Sequence, residues 1–264
     1  MPRDKQRRIA WITGASSGIG RALALKMAAE NWDIAATARS LEKLETLARE
    51  SISFPGSIYP FASDITDTTK IKVTLDRIES ECGMIDLAVL NAGTHISDDA
   101  ATLTGERISA LLQLNVIGTV QCLHAVLDKM RGRGVGHIAV VSSLAGYGGL
   151  PGATAYGGSK AALINLTESL QPELAKAGIK LQLVSPGFVR TPLTDKNDFE
   201  MPFLMEVDRA VDAFYNGLMS NRFEITFPRR FALLMKLLRL MPYGLYFRIT
   251  RRLLPNGTAK CLSR

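Results

Sequence analysis

Tyr156 and Lys160 stand four residues apart, and Ser143 lies thirteen residues before the tyrosine. On a helix, a four-residue spacing puts both side chains on one face. A free phenol titrates near ~10, too high to exchange protons at neutral pH, but an adjacent ammonium favours the phenolate and should lower that value. Ser143 closely follows the apolar run His137–Val141, which reads as a strand. Its hydroxyl therefore falls at a C-terminal strand end, where open α/β sheets bind ligands. Hydroxyl, phenol and ammonium together suit proton transfer at a carbonyl or alcohol. Each also has a plain reading: Tyr-x-x-x-Lys recurs by chance on helix surfaces, and Ser142-Ser143 fits a turn. The set gains meaning only beside a nucleotide site.

The chain encodes one. Arg8–Thr13 reads as a buried strand, followed by Thr13-Gly14-Ala15-Ser16-Ser17-Gly18-Ile19-Gly20 and a helical run from Arg21. Glycines let a backbone approach a pyrophosphate, and the helix N-terminus offers N–H groups and positive potential. The spacing is Gly-x-x-x-Gly-x-Gly. A second strand, Asp33–Ala38, ends without the acid that would hold ribose hydroxyls, and Arg39 follows instead. A guanidinium grips a 2′-phosphate bidentately, so NADP(H) is favoured over NAD(H); the alternative is a solvated charge opening the next helix.

A third strand, Ser57–Ala62, leads to Asp64-Ile65, where Asp64 reads as a partner for the adenine amino group, as the cap of a helix over Thr66–Cys82, or as both. A fourth, Ile85–Leu90, ends in Asn91-Ala92-Gly93, expected to brace the sheet and touch the cofactor. A long helix is expected over Thr104–Met130 with Asn115 inside it. Asparagine is a weak helix former, so it either satisfies backbone groups or holds a relay water. The strand Gly136–Val141, a helix carrying Tyr156 and Lys160 to about Ala177 through Pro172, and the strand Ile179–Val184 follow. The irregular loop Ser185–Pro192 comes next, with Pro186, Gly187 and Val189 on the cofactor side and Thr191 toward a nicotinamide carboxamide. Phe223–Phe227 reads as the last strand. Alternating strands and helices give a doubly wound, Rossmann-like parallel sheet in one domain.

The division expected is a domain over 1–228, including a substrate lid at 190–206, and a C-terminal extension over 229–264. Phe199, Met201, Phe203, Leu204 and Met205 make the lid apolar, as ordinary packing or as a pocket for a hydrophobic carbonyl compound. The net charge of +7 is concentrated: Arg222–Arg264 holds ten Lys or Arg and one acid, while the other 221 residues hold 22 basic and 24 acidic. Bulky apolar residues interleave with those arginines over 229–252, which fits an interfacial segment broken at Pro242, or packing on a subunit or over the cleft. No nucleic-acid reading module accompanies the charge. Three widely spaced cysteines argue for a reducing compartment, read as cytoplasmic with peripheral membrane contact through the extension. Three dispersed histidines give no metal-ligand spacing, and no stretch is expected to span a bilayer.

Taken in order, Thr13-Gly14-(x)3-Gly18-Ile19-Gly20, Asp64, Asn91-Ala92-Gly93, Asn115, Ser143, Tyr156-(x)3-Lys160 and Pro186-Gly187 resemble the short-chain dehydrogenase/reductase family over roughly Arg8–Phe227. The resemblance implies Tyr156 as general acid/base, Lys160 on the nicotinamide ribose and lowering the tyrosine pKa, Ser143 orienting the substrate oxygen, and Asn115 positioning a relay water. It implies cofactor contacts from Gly14, Ser16, Ser17, Gly18, Ile19, Gly20, Arg39, Asp64, Ile65, Asn91, Ala92, Gly93, Tyr156, Lys160, Pro186, Gly187, Val189 and Thr191. The implied activity is NADPH-dependent reduction of a hydrophobic ketone or aldehyde, in a homodimer or homotetramer. An NAD-linked alcohol dehydrogenase and a non-catalytic dinucleotide-binding protein are the alternatives. Two departures stand out: Gly157-Gly158 should loosen the start of the catalytic helix, and Ser17 replaces a basic residue, leaving NADP preference to Arg39 with help from Arg21.

Overall fold

The computed structural model describes residues 7–196 and 200–254. Seven parallel strands form one sheet: β1 (Ile9–Thr13), β2 (Asp33–Ala38), β3 (Ile58–Ala62), β4 (Leu87–Leu90), β5 (Gly136–Val141), β6 (Ile179–Pro186) and β7 (Glu224–Phe227). Their spatial order is β3-β2-β1-β4-β5-β6-β7, so the chain reverses direction across the sheet between β1 and β4. That reversal opens a crevice at the carboxyl ends of the strands. The strands read as unbroken apolar runs because helices cover both faces. On one side lie α1 (Gly18–Ala29), α2 (Leu41–Glu50) and α7 (Val207–Leu218), packed around Leu23, Met27, Leu44 and Phe214. On the other lie α3 (Thr68–Glu81), α5 (Thr119–Arg131) and α6 (Thr154–Lys176), packed around Ile71, Leu75, Val126 and Leu163.

β6 runs two residues past its expected end, because Ser185 and Pro186 still pair with Thr226 and Phe227 of β7. Asp64 does not cap α3. The helix begins at Thr68, and Asp67 is its cap, accepting from the Lys70 N–H; Asp64 instead accepts from the Thr66 N–H and hydroxyl, two residues on. α7 lies between the segment expected to be a lid and the last strand, where the sequence reading gives no element.

The long helix divides into α4 (Gly105–Leu112), a π-helical segment over Gln113–Gly118, and α5. Asn115 sits inside the π segment, a widening of the helix often found at functional sites. The combined stretch Gly105–Arg131 is also long and apolar enough to cross a bilayer, an 18-residue window within it having mean hydropathy 1.5, contrary to expectation. Of that window 44% is buried, and Leu111 and Val126 of the stretch serve the protein core. α6 starts at Thr154, ahead of Gly157-Gly158, and continues through Pro172. The glycine pair does not loosen the helix start: a Cβ on Gly157 would lie 3.1 Å from the Ala145 carbonyl, so its absence lets the helix press against that loop.

The extension forms α8 (Arg229–Leu240) and α9 (Tyr243–Thr250), with Pro242 between them. Phe231, Ala232, Met235, Leu238 and Tyr246 are buried with Leu144 in a third, smaller core over the C-terminal ends of the strands.

Candidate active site

The glycine turn joins β1 to α1 at the crevice. Gly14 adopts φ +68, and a Cβ there would lie 2.8 Å from Ala92 Cα. A Cβ on Gly20 would fall 2.4 Å from Asn91 Nδ2 and 2.5 Å from the Gly14 carbonyl. The turn is thus pressed against the end of β4. Asn91 holds the junction, its Nδ2 donating to the Thr13 carbonyl at 3.1 Å, while the Asn91 and Ala92 N–H groups donate to Thr13 Oγ1. At the mouth of α1 the Ser17 side chain makes no capping hydrogen bond, and the first turn holds no acid. Unsatisfied helix N–H groups with no competing carboxylate suit a pyrophosphate, so the residues present fit a dinucleotide.

A cleft of about 110 Å³ opens beside this turn. Ile19, Asn91 and Gly93 line one side; Ser143, Tyr156 and Lys160 line the back; Pro186, Gly187, Val189 and Thr191 line the other. Lys160 is 4% exposed, and its ammonium donates to the Val141 carbonyl at 3.0 Å. Burial lowers its pKa to about 8. Its Nζ stands 5.8 Å from the Tyr156 ring centroid. Ser143 Oγ accepts from the Ala145 N–H and donates to the Pro186 carbonyl. Burial raises the Tyr156 pKa, while the Ser143 hydroxyl pulls it down. The expected lowering by Lys160 is absent in the protein alone: the ammonium is directed at a carbonyl, and desolvation wins.

Asn115 lies behind this wall, fully buried. Its Oδ1 accepts from the Thr94 N–H at 2.8 Å, and its Nδ2 donates to the Thr94 carbonyl at 2.9 Å and to Ser159 Oγ at 3.1 Å. These bonds are the backbone-satisfying role of the two read from the sequence. They tie the π segment to the loop after β4 and to α6. Arg39, Asp64 and Ile65 stand apart from the cleft, at the ends of β2 and β3. Arg39 is exposed and helps lower the Asp64 pKa, chiefly set low by the Thr66 N–H bond. Ile65 is buried, and a Cβ on Gly118 would lie 2.9 Å from its Cδ1.

Four residues at the site escape the sequence reading in whole or in part. Ser142 Oγ donates to the Lys160 carbonyl, pinning α6 to β5. Ser159 bridges Asn115 and the Tyr156 carbonyl. His95 packs edge-on against Tyr156, centroids 4.8 Å apart. Asp98, 3% exposed, accepts the Ala155 N–H at 2.9 Å, and its other oxygen has no hydrogen-bond partner among the described residues. The hydroxyls of Ser142 and Ser159, adjacent to Ser143 and Lys160, were available signals. Asp98 caps a helix 57 residues away in sequence, which no local pattern reveals.

A family model described as short chain dehydrogenase matches residues 8–201. The chain belongs to that family. Among its relatives, an oxidoreductase of Myxococcus xanthus is 39% identical over 249 residues, spanning 93% of this chain and 97% of the relative. A 3-oxoacyl-acyl-carrier-protein reductase of Thermotoga maritima is 36% identical over 191 residues, 72% of this chain and 77% of the relative. The solved structure of a short-chain dehydrogenase from Sphingobium yanoikuyae, in complex with NADPH, superposes with a TM-score of 0.76 at 26% identity, covering 93% of each chain. This short-chain dehydrogenase is accordingly an NAD(P)-dependent oxidoreductase acting between alcohols and carbonyls.

Proposed function

We propose that the protein reduces hydrophobic ketones or aldehydes with NADPH, or oxidises the matching alcohols. The observation that carries the substrate class is the aromatic cluster packed behind Gly187 of the catalytic cleft. Phe231 of α8 stacks on Phe188 and Phe203, with centroids 5.8 and 5.6 Å away. Apolar and aromatic surface recognises an apolar substrate body and leaves its single oxygen to the polar residues. Two neighbours support the chemistry: the Thermotoga relative reduces a ketone, as its name states, and the Sphingobium structure holds NADPH. Arg39, at the end of β2 where an acid would select NAD, favours the 2′-phosphate. Arg21 is paired with Glu50, which leaves that work to Arg39.

The residues divide the labour. The bound nicotinamide supplies or accepts the hydride. Ser143 holds the substrate oxygen, and Tyr156 gives it a proton or takes one away. Lys160 holds the cofactor ribose and, once its Val141 contact is shared, favours the phenolate. Asn115 and Ser159 keep α6 and the π segment in register beneath them. The extension over 229–264 is an addition to the 1–228 domain, and its described residues, 229–254, pack beside the cleft. Exposed Ile117, Val120 and Leu166 on the flank formed by the π segment, α5 and α6 suit assembly as a homodimer or homotetramer.

A panel of carbonyl compounds assayed with NADPH and NADH tests this. Turnover should be faster with NADPH and rise with substrate hydrophobicity, and Arg39→Asp should reverse the cofactor order. Tyr156→Phe should lose roughly 10²–10⁴-fold in kcat, the range for a positioned proton donor, with NADPH still bound. Equal use of the two cofactors, or near-normal turnover in Tyr156→Phe, defeats the reading.

A further inference from the structure

α8 is apolar on two opposite faces. Phe231, Met235 and Leu238 point inward and are buried, whereas Leu233, Leu237 and Leu240 are 60%, 49% and 80% exposed. A helix with large apolar residues on opposite faces is expected to be covered on both sides. α9 repeats the pattern: Tyr246 is buried, its hydroxyl donating to the Gly149 carbonyl, while Tyr243 and Phe247 stack on each other with 63% and 49% exposure. The two outer faces belong to consecutive helices of one continuous surface segment. Isolated exposed apolar residues need no account, but such a concentration marks an interaction surface.

Charge identifies what covers it. Between 229 and 254 there are seven basic residues, Arg229, Arg230, Lys236, Arg239, Arg248, Arg251 and Arg252, and no acid. All seven are exposed. Lys236 is engaged by Glu224. Two copies meeting through this face would set like charges against each other, with no carboxylate in the segment to offset them. An anionic lipid surface offers what the face lacks: negative headgroups for the arginines and a hydrocarbon boundary for the leucines and aromatic rings.

We propose that the outer face of α8 and α9 docks on an anionic lipid bilayer. The inner face of the same two helices packs in the core behind Gly187 of the cleft lining, so docking sets the substrate pocket near the membrane surface. Leu233, Leu237 and Phe247 enter the headgroup boundary, and Arg251 and Arg252 stay among the headgroups. Lipid binding requires no turnover, so it can fail while the reductase assignment stands, and the reverse.

The experiment is co-sedimentation of the full chain with phosphatidylcholine vesicles, with and without about one third phosphatidylglycerol. The protein should pellet with the anionic vesicles at low salt, and release as added salt shortens the screening length toward about 3 Å. Leu233→Glu/Leu237→Glu should abolish binding. Arg251→Gln/Arg252→Gln should weaken it by about fivefold per arginine, giving a second variant if the first does not fold. NADPH titration confirms that each variant retains its fold. Protein left in the supernatant at low salt overturns the proposal, as does equal binding to neutral and anionic vesicles. It is equally overturned if Leu233→Glu/Leu237→Glu halves the molar mass in light scattering without changing vesicle binding, since the face would then join two copies.

Discussion

The cleft has two walls built on opposite principles. The nucleotide wall, from β1 through the glycine turn to the end of β4, is made of backbone in close approach. The apolar wall, from Phe188 and Phe203 to α8 and α9, stands behind Gly187 of the cleft lining and is made of side-chain bulk. In the first, a single added methyl group collides with main chain: Gly14 would meet Ala92 Cα at 2.8 Å, and Gly20 would meet the Gly14 carbonyl at 2.5 Å. In the second, rings stack at 5.6–5.8 Å and can be exchanged for other apolar groups of similar volume at modest cost. A wall that cradles an invariant cofactor tolerates almost no variation. A wall that selects among substrates can change by repacking.

The sharpest test of that contrast is Gly20→Ala. Its Cβ would overlap both Asn91 Nδ2 and the Gly14 carbonyl, and relieving each contact costs about 1–3 kcal/mol. NADPH affinity, read by fluorescence titration, should fall by roughly a thousandfold, equivalent to about 4 kcal/mol. Phe231→Ala is the matched change on the other wall. Phe231 is 8% exposed and stacks on two rings, so chemical denaturation should show a loss of about 3 kcal/mol, the lower end of the range for a buried phenylalanine. KM for apolar substrates should rise while NADPH affinity stays within about twofold, because Phe231 adjoins the cleft through Gly187 and not through the glycine turn. A tenfold loss of NADPH affinity in Phe231→Ala would show that they act as one unit.

The same contrast explains what could be read beforehand. The strands of the parallel sheet and the glycine turn were legible because glycines, strand ends and polar residues at those ends are dictated by backbone geometry within a few residues. Asp33–Ala38 and Gly136–Val141 fall where expected for that reason. The position of the extension was not. Arginine and leucine counts show that 229–252 is basic and apolar, but both the bilayer and the cleft satisfy those counts. Only the structure places Phe231 on Phe188 and Tyr246 on Gly149. The π segment around Asn115 was hidden because an extra residue in a helical turn leaves the apolar pattern nearly unchanged. Asp98 was hidden because its partner on α6 is distant in sequence. Phe199, assigned to the lid, lies outside the described residues.

Lys160 stands at the seam between the walls and gives the smallest of the expected effects. Its folded-state pKa is depressed to about 8 from 10.5. Below about pH 8 both folded and unfolded states carry the proton, and the buried charge is a full cost. Between about 8 and 10.5 the native lysine has released its proton while the unfolded one has not, so stability rises with pH across that window. Other buried groups oppose it. Burial raises the Cys82 and Cys122 thiols to about 11 and about 12 and also raises the Tyr147 and Tyr156 phenols, and each keeps its proton in the native state after the unfolded chain has lost it. The lysine is isolated by comparing wild type with Lys160→Met, which keeps the apolar stem and removes the charge. Between about pH 7.5 and 9.5 the unfolding free energy of the wild type should gain about 2 kcal/mol on the variant in urea titrations. Parallel pH profiles for the two proteins would mean that the ammonium is not paying for its burial, and that the Val141 carbonyl and its neighbours solvate it as well as water does.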